Sequence, residues 1–368
     1  MNRLPRLPIP GLELPIIQAP MAGVQDSALA LAVCHAGGLG SLPAAMLAPD
    51  ELARQLGLLA AGTDRPWNVN FFAHTPPLPD RAREAAWRER LAPYYREFAI
   101  DPAGIPAGPG RQPFDARAAQ LVERFRPAVV SFHFGLPAAD LLARVKATGA
   151  CVISSATTVV EARWLESRGV DAVIAQGLEA GGHRGMFLSD DPTTQIGLFA
   201  LLPQIVAAVR CPVIAAGGIA TPQGVAAARA LGAAAVQVGT AFLNCPEATT
   251  NALHRAALTG EAARHTALTN LFSGRPARSI RTRLMDEIGP LNSSAPVFPH
   301  AGSALSPLRI EAEKQGRTEF SSLWSGQSAA LGRALPAEQL TLVLAQEAQG
   351  VCKRLGVAGA THAPLDQP

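Results

Sequence analysis

The stretch Pro212–Thr240, PVIAAGGIATPQGVAAARALGAAAVQVGT, decides the fold. It opens with a short apolar run, Pro212–Ala216, and closes with another, Ala235–Val238. Unbroken apolar runs of this length mark parallel strands covered on both faces; half-exposed strands alternate instead. Between the two, Thr221-Pro222 supplies an N-cap and a first-turn proline, which predicts a helix over Thr221–Leu231. Strand, helix and parallel strand form one β/α unit, and the unit recurs upstream. Further runs lie at Pro15–Ala19, Leu39–Leu42, Trp67–Phe72, Ala128–Phe134, Ala150–Ser155 and Ala172–Gln176. Helices are expected between them, among others at Asp26–Ala36 and Thr157–Arg168. Eight units predict an α/β fold, a closed (β/α)₈ TIM barrel. An open doubly wound sheet competes, but it would usually carry GxGxxG after its first strand. Here that strand runs into Ala19-Pro20-Met21-Ala22-Gly23.

The boundaries follow from where the pattern changes. Residues 1–250 are expected to form the barrel, completed by a C-terminal helix over 335–356. Residues 251–334 are expected to form a lid on the substrate side. Within them Ser273–Gln327 is rich in Gly, Pro, Ser and Arg and shows few strand signals. Asp101–Pro113, DPAGIPAGPGRQP, reads as a loop. Composition narrows the function classes. Lys and Arg number 32 against 29 Asp and Glu, and this small surplus gives no nucleic-acid footprint. No window approaches the roughly 18 unbroken apolar residues of a membrane span. The 5 cysteines are odd in number, scattered and without CxxC, so no disulfide framework or zinc site is expected. The N-terminus, MNRLPRLPIPGLELP, lacks a signal-peptide core, and a cytoplasmic protein is the expectation. A monomer and a homodimer both remain open.

Barrel enzymes place their chemistry where the strands end. The seventh run ends in Ala216-Gly217-Gly218-Ile219 before the capped helix, and the eighth in Gln237-Val238-Gly239-Thr240. Such glycine turns let backbone N–H groups approach an anion, and a helix N-terminus adds its dipole; together they suggest a phosphate site. Simple tight turns are the competing reading. Asn70 and Gln176, late in the third and sixth runs, offer paired donors and acceptors for a heterocycle edge. Each taken alone is more often a satisfied polar residue at a strand end. Glu179-Ala180-Gly181-Gly182-His183-Arg184-Gly185 suggests a backbone held close to a planar ligand, with His183 facing a substrate and Arg184 more simply an exposed loop residue. His133, in Ser131-Phe132-His133-Phe134-Gly135, ends the fourth run between aromatics. A histidine there can take a proton or, when charged, hold an anion. The other histidines, His35, His74, His254, His265, His300 and His362, have no comparable setting, although His300 lies in the lid and could reach the pocket. No HExxH spacing argues for a metal, and no GxSxG for a serine hydrolase.

These motifs together resemble the nitronate monooxygenases, also called 2-nitropropane dioxygenases, of the class I type. The similarity runs through PIIQAPMAG (Pro15–Gly23), AGGLGSL (Ala36–Leu42), NVNFF (Asn68–Phe72), FHFG (Phe132–Gly135) and AQGLEAGGH (Ala175–His183). It closes with AGGI (Ala216–Ile219), QVGTAFL (Gln237–Leu243) and SGRPAR (Ser273–Arg278). The resemblance implies non-covalent FMN with its phosphate at the last two strand turns. Its contacts would be Met21, Asn70, Gln176, Gly181, Gly218, Gln237, Val238, Gly239 and Thr240. It implies His133 as the catalytic residue, no metal, and His133 with His183 at the substrate. The implied reaction is oxidation of alkyl nitronates such as propionate 3-nitronate, by one-electron transfer to flavin and with O₂, to a carbonyl compound and nitrite. A protonated His133 would bind the nitronate; a neutral one would deprotonate a nitroalkane. An NAD(P)H-dependent quinone or enoyl-thioester reductase on the same scaffold is the alternative. The chain departs from the family where a tyrosine-proline is usual in the lid, reading Phe298-Pro299-His300-Ala301-Gly302. Tyr94 and Tyr95 are its only tyrosines.

Overall fold

The computed structural model describes residues 6–78, 80–105 and 111–356. Parts of the proline-rich N-terminus and of the 101–113 loop, and His362, lie outside these residues. Eleven strands follow in chain order among the described residues. They are β1 (Ile16–Gln18), β2 (Gly40–Pro43), β3 (Trp67–Phe72), β4 (Val129–His133), β5 (Cys151–Ala156) and β6 (Ala172–Gln176). Then come β7 (Gly182–His183), β8 (Val213–Ala216), β9 (Ala235–Val238), β10 (Thr266–Thr269) and β11 (Ala277–Ile280). Eight of them form one parallel sheet in the order β1-β9-β8-β6-β5-β4-β3-β2. The edges meet: Ile17 bridges Leu39 in parallel, the Gln18 N–H donates to Leu39 O at 3.0 Å, and Leu39 N–H to Ile16 O at 2.9 Å. The sheet is thus a (β/α)₈ barrel, and each expected strand is present within a residue or two.

The helix signals act as capping chemistry. Asp26 accepts from Ala28 N, Thr158 from Glu161 N and Thr221 from Gly224 N, each opening the helix its sequence announces. The helix Ala337–Arg354 packs between Ser27–His35 and Pro222–Ala230, so a C-terminal segment fills the gap beside β1. Its Leu340, Leu344 and Ala348 join the main hydrophobic core.

A second hydrophobic cluster lies over the mouth. It joins Leu271, Leu284, Leu305, Leu308 and Phe320 from the C-terminal portion to Trp87, Leu91, Tyr94 and Tyr95 from a helix at Arg81–Glu97. That helix lies between β3 and β4, so the cover over the barrel is drawn from two distant parts of the chain. The Trp87 indole N–H donates to Ala301 O at 3.1 Å and the Tyr95 hydroxyl to Ala304 O at 2.8 Å, tying it to the helix Ala301–Lys314. A small antiparallel sheet, β10-β11-β7, completes the cover. The strand β11, Ala-Arg-Ser-Ile, is buried throughout yet carries two polar side chains. It therefore lacked the apolar run by which a strand is read from sequence.

Candidate active site

One cavity of about 830 Å³ opens at the C-terminal ends of the barrel strands, at the upper end of the usual range for small-molecule sites. Met21, Asn70, His133, Gln176, Gly181, His183, Gly218, Gln237, Gly239 and Thr240 all line it. Val238 does not: its side chain is buried in the hydrophobic core, as the alternation along β9 requires. His300 lies apart from it too, at the start of the helix Ala301–Lys314 beside Trp87.

His133 ends β4 with both ring nitrogens engaged. Nε2 lies 3.2 Å from His183 O and Nδ1 3.1 Å from Ser155 Oγ. A carbonyl can only accept, so Nε2 carries the proton and Nδ1 accepts from the Ser155 hydroxyl. Gln176 braces the same carbonyl: its Nε2 donates to His183 O at 3.0 Å and its Oε1 accepts from Gly185 N at 2.7 Å. Both ends of that amide thus orient the loop that holds His133. Phe72 and Phe134 flank the imidazole, with ring centroids 5.9 and 4.5 Å away. Burial pushes its pKa down to about 3, with the Arg275 and Arg184 charges adding to the shift. His133 is neutral at neutral pH.

His183 is half-buried. Burial and the charge of Arg111 hold it well below the ordinary histidine range. Its Nε2 pairs with Ser273 Oγ at 2.9 Å, and Phe298 and Trp324 enclose its ring at 5.4 and 5.3 Å. His74, given no context by the sequence, sits in the same aromatic nest, 4.9 Å from Phe298, and burial lowers its pKa to about 4. These histidines predict an acid limit to stability. An exposed histidine titrates near 6.5, so between that value and about 4 the unfolded chain binds more protons than the folded one. Stability is full above about pH 6.5 and is lost as the pH falls toward 4, by up to about 1.4 kcal/mol per pH unit for each histidine. Thermal unfolding from pH 8 to 4.5 should show Tm falling below 6.5, with a shallower fall in His74→Gln. A Tm that stays level down to pH 5 is the contrary result.

Two turns at β8 and β9 have the form an anion needs. Gly217 and Gly218 adopt φ of +114° and +69°, conformations a side chain would strain, immediately before the helix Pro222–Ala230. On β9, the Gln237 Oε1 is buried without a hydrogen-bond partner, an acceptor awaiting a donor from the cavity. Across the mouth, a Cβ on Gly181 would lie 2.5 Å from Gly326 N, so only glycine lets the Ser325-Gly326 segment pack against this loop. Gly326 N–H donates to Thr240 Oγ1 at 2.9 Å, and Gln327 N–H to Glu179 O at 3.0 Å.

The structure adds residues that the sequence did not point out. Gln18 and Gln25 are buried beneath the β1 turn, where Gln25 Oε1 accepts from Met21 N at 2.8 Å and its Nε2 donates to Ser41 O at 2.6 Å. Their network fixes Met21 at the cavity wall. Gly182 and His183 form β7 against β11, with His183 opposite Ala277 and Gly182 opposite Arg278. The GRPAR stretch is therefore the strand partner of the EAGGH loop, a pairing no local signal announces. Arg184 corrects the reading of an exposed loop residue: it is 0% exposed. Its guanidinium donates to Gln176 O at 2.8 Å, Gly177 O at 2.7 Å and Gln195 Oε1 at 3.0 Å. Gln176 O and Gly177 O lie where β6 ends, and a fixed fork of donors holds them together with Gln195 Oε1. His254 lines the cavity and pairs with Trp324 O at 3.2 Å.

A closed barrel with a deep cavity at the strand ends, lined by a half-buried neutral histidine and two glycine turns, defines a barrel enzyme. The nitronate monooxygenase family model matches residues 7–347. A nitronate monooxygenase of Paraburkholderia phytofirmans is 43% identical over 353 residues, covering 93% of this chain and 94% of that protein. The crystal structure of a nitroalkane oxidase from Streptomyces ansochromogenes superposes with a TM-score of 0.84 at 40% identity, covering 94% of this chain and 98% of that one. FabK from Thermotoga maritima superposes with a TM-score of 0.69 at 28% identity, over 94% and 96%. The chain belongs to the nitronate monooxygenase family of flavin-dependent oxidoreductases. No helix of the described residues is long and apolar enough to cross a membrane.

Proposed function

We propose that this enzyme binds FMN and oxidises alkyl nitronates with O₂ to a carbonyl compound and nitrite. The observation that carries this reading is the placement, in one cavity, of a neutral His133 opposite two glycine turns suited to a phosphate. The donor set fits FMN. The β8 turn and the helix behind it, with Gly239 and Thr240, would take the phosphate. The unsatisfied Gln237 Oε1 would accept from a polar edge of the ring system. Asn70 donates its amide to Ser131 Oγ at 2.9 Å and so stands fixed at the opposite wall. When bound, FMN supplies the redox chemistry, taking an electron from the nitronate and giving it up to O₂.

The chain's own residues do the rest. Nδ1 is the one atom of His133 able to take up a proton, since Nε2 is committed to a carbonyl. A neutral imidazole acts as a base toward a nitroalkane; it does not pair as a cation with a nitronate. The field in which a nitronate would sit comes from arginines: the charges of Arg111 and Arg275 both bear on His183. The flanking Phe72, Phe134 and Phe298 exclude water from that field.

The test mixes purified yellow enzyme, without oxygen, with propionate 3-nitronate or with NADH, and follows the flavin absorbance. Bleaching by the nitronate and not by NADH, followed by nitrite release in air, is the expected result. Bleaching by NADH alone would reassign the chain as a reductase on the scaffold it shares with FabK. A colourless protein that takes up no FMN would remove the cofactor assignment.

A further inference from the structure

Both ring nitrogens of His133 are engaged, and that closes the direct route to its base. A neutral imidazole has one lone pair at Nδ1, lying in the ring plane, and Ser155 Oγ stands on it at 3.1 Å. The Nε2 proton points at His183 O at 3.2 Å. The edge between Nδ1 and Cε1 is covered as well. A Cβ on Gly185 would lie 2.8 Å from His133 Cε1 and 3.2 Å from Nδ1, so the Gly185 backbone packs over that edge. Gly185 is held there by its N–H, which donates to Gln176 Oε1 at 2.7 Å. A substrate carbon therefore finds no open approach to Nδ1. What it meets is Ser155, which lies on β5 beside the strand of His133 and lines the cavity. The Ser155 side chain makes no hydrogen bond among the described residues other than the one to Nδ1. Its single hydrogen goes to the imidazole, and its oxygen keeps acceptor capacity toward the cavity.

We propose that Ser155 is a catalytic residue beside His133: its Oγ takes the proton from the acidic carbon of a neutral nitroalkane while its own hydrogen passes to His133 Nδ1. The step rests on the nitronate reading above and is the one that makes the nitronate. The C–H bond breaks, and its electron pair stays on the substrate, delocalised onto the nitro oxygens. One O–H bond of Ser155 breaks and another forms, so the serine ends as it began. The proton gained ends on the imidazole, whose two N–H groups then donate to Ser155 Oγ and His183 O. No oxidant enters the step. Imidazolium and nitronate arise together in one cavity, and each offsets the cost of burying the other's charge. A serine hydroxyl alone is too weak a base for a carbon acid. Here the imidazole supplies the basicity and the hydroxyl the reach, as when an adjacent base activates a hydroxyl.

The test compares kcat/KM for nitroethane and for ethylnitronate, in H₂O and in D₂O, in the wild type, Ser155→Ala and Ser155→Thr, together with flavin per chain. Nitroethane is added last, so that its carbon-bound hydrogens stay unexchanged. With it the wild type should be slower in D₂O, because the Ser155 hydroxyl exchanges with solvent and its hydrogen is in flight. Direct abstraction by Nδ1 would move only the carbon-bound hydrogen. In Ser155→Ala the ratio of kcat/KM for nitroethane to that for ethylnitronate should fall by about 10²-fold, the contribution of a positioned proton-transfer group. The solvent effect on the remaining rate should vanish. Ser155→Thr keeps the hydroxyl and should retain the solvent effect and most of the ratio. A wild type equally fast in both solvents, or a ratio that survives in Ser155→Ala, overturns the proposal. Equal losses on both substrates would make Ser155 a structural residue, and lost flavin a cofactor residue; either refutes it. Should Ser155→Ala fail to fold, the wild-type solvent effect and Ser155→Thr decide. A wild type that oxidises ethylnitronate but not nitroethane removes this step alone. One that oxidises neither removes the functional reading itself.

Discussion

With a neutral nitroalkane as substrate, His133→Asn should lower kcat by about 10²- to 10⁴-fold, the usual contribution of a positioned acid–base group, while the protein still purifies with its flavin. The geometry makes the substitution selective. An asparagine amide can still donate toward His183 O, the contact His133 makes through Nε2. It cannot take up a proton in the place of Nδ1. The loop carbonyl also keeps its second donor, Gln176 Nε2 at 3.0 Å, so the cavity wall should hold. Nitrite release under saturating substrate measures the first quantity and flavin absorbance per chain the second. Turnover close to that of the wild type would defeat the assignment of His133. Starting from the nitronate in place of the neutral nitroalkane separates the two roles: no base is needed there, so a much smaller loss identifies proton abstraction.

Arg184→Met should destabilise the fold by about 3–5 kcal/mol, the range for breaking a buried charged group away from its partners. Methionine replaces the stem but strands two acceptors, Gln176 O and Gln195 Oε1, and leaves Gly177 O with only the Ala180 N–H at 3.1 Å. Each buried acceptor left without a donor adds its own desolvation cost. Because Gln176 and Gly177 lead directly into the EAGGH loop, the damage should also reach the site, and catalysis should fall along with the urea midpoint. A variant within about 1 kcal/mol of the wild type would show that the loop is held mainly by its strand pairing with Ala277–Ile280.

How far the sequence carries the fold depends on how local the physics is. The barrel strands are legible because helices cover their outer face and the packed barrel interior their inner one, which leaves continuous apolar runs, as in Ala172–Gln176. The helix starts are legible because Asp26, Thr158 and Thr221 cap with their own side chains. The pairing of Gly182–His183 with Ala277–Arg278 is not legible, since it closes a long loop between two short polar segments. Nor was the burial of Arg184. An arginine in a glycine-rich loop reads as solvated unless one knows that carbonyls converge on it, and only the folded chain supplies that. Arg111 was hidden in the same way, inside a stretch whose prolines and glycines say only that it is a loop. The shared cavity of His133, Gln176 and Gly218 was anticipated by one rule, that barrel strands present their ends to the same mouth. What the rule could not give was the direction of each hydrogen bond. Gln176, expected to read a ligand edge, is in fact bonded at both ends within the protein.

The hydroxyl of Thr240 belongs to two structures at once. It accepts the Gly326 N–H and retains a hydrogen of its own to give. An acceptor arriving at the β9 turn would take that hydrogen, polarise the oxygen and strengthen its hold on Gly326, because hydrogen bonds in a chain reinforce one another. Filling the turn and strengthening the Gly326 contact are then linked, and a substitution that weakens the bond to Thr240 should weaken the hold on the occupant of the turn by the same factor.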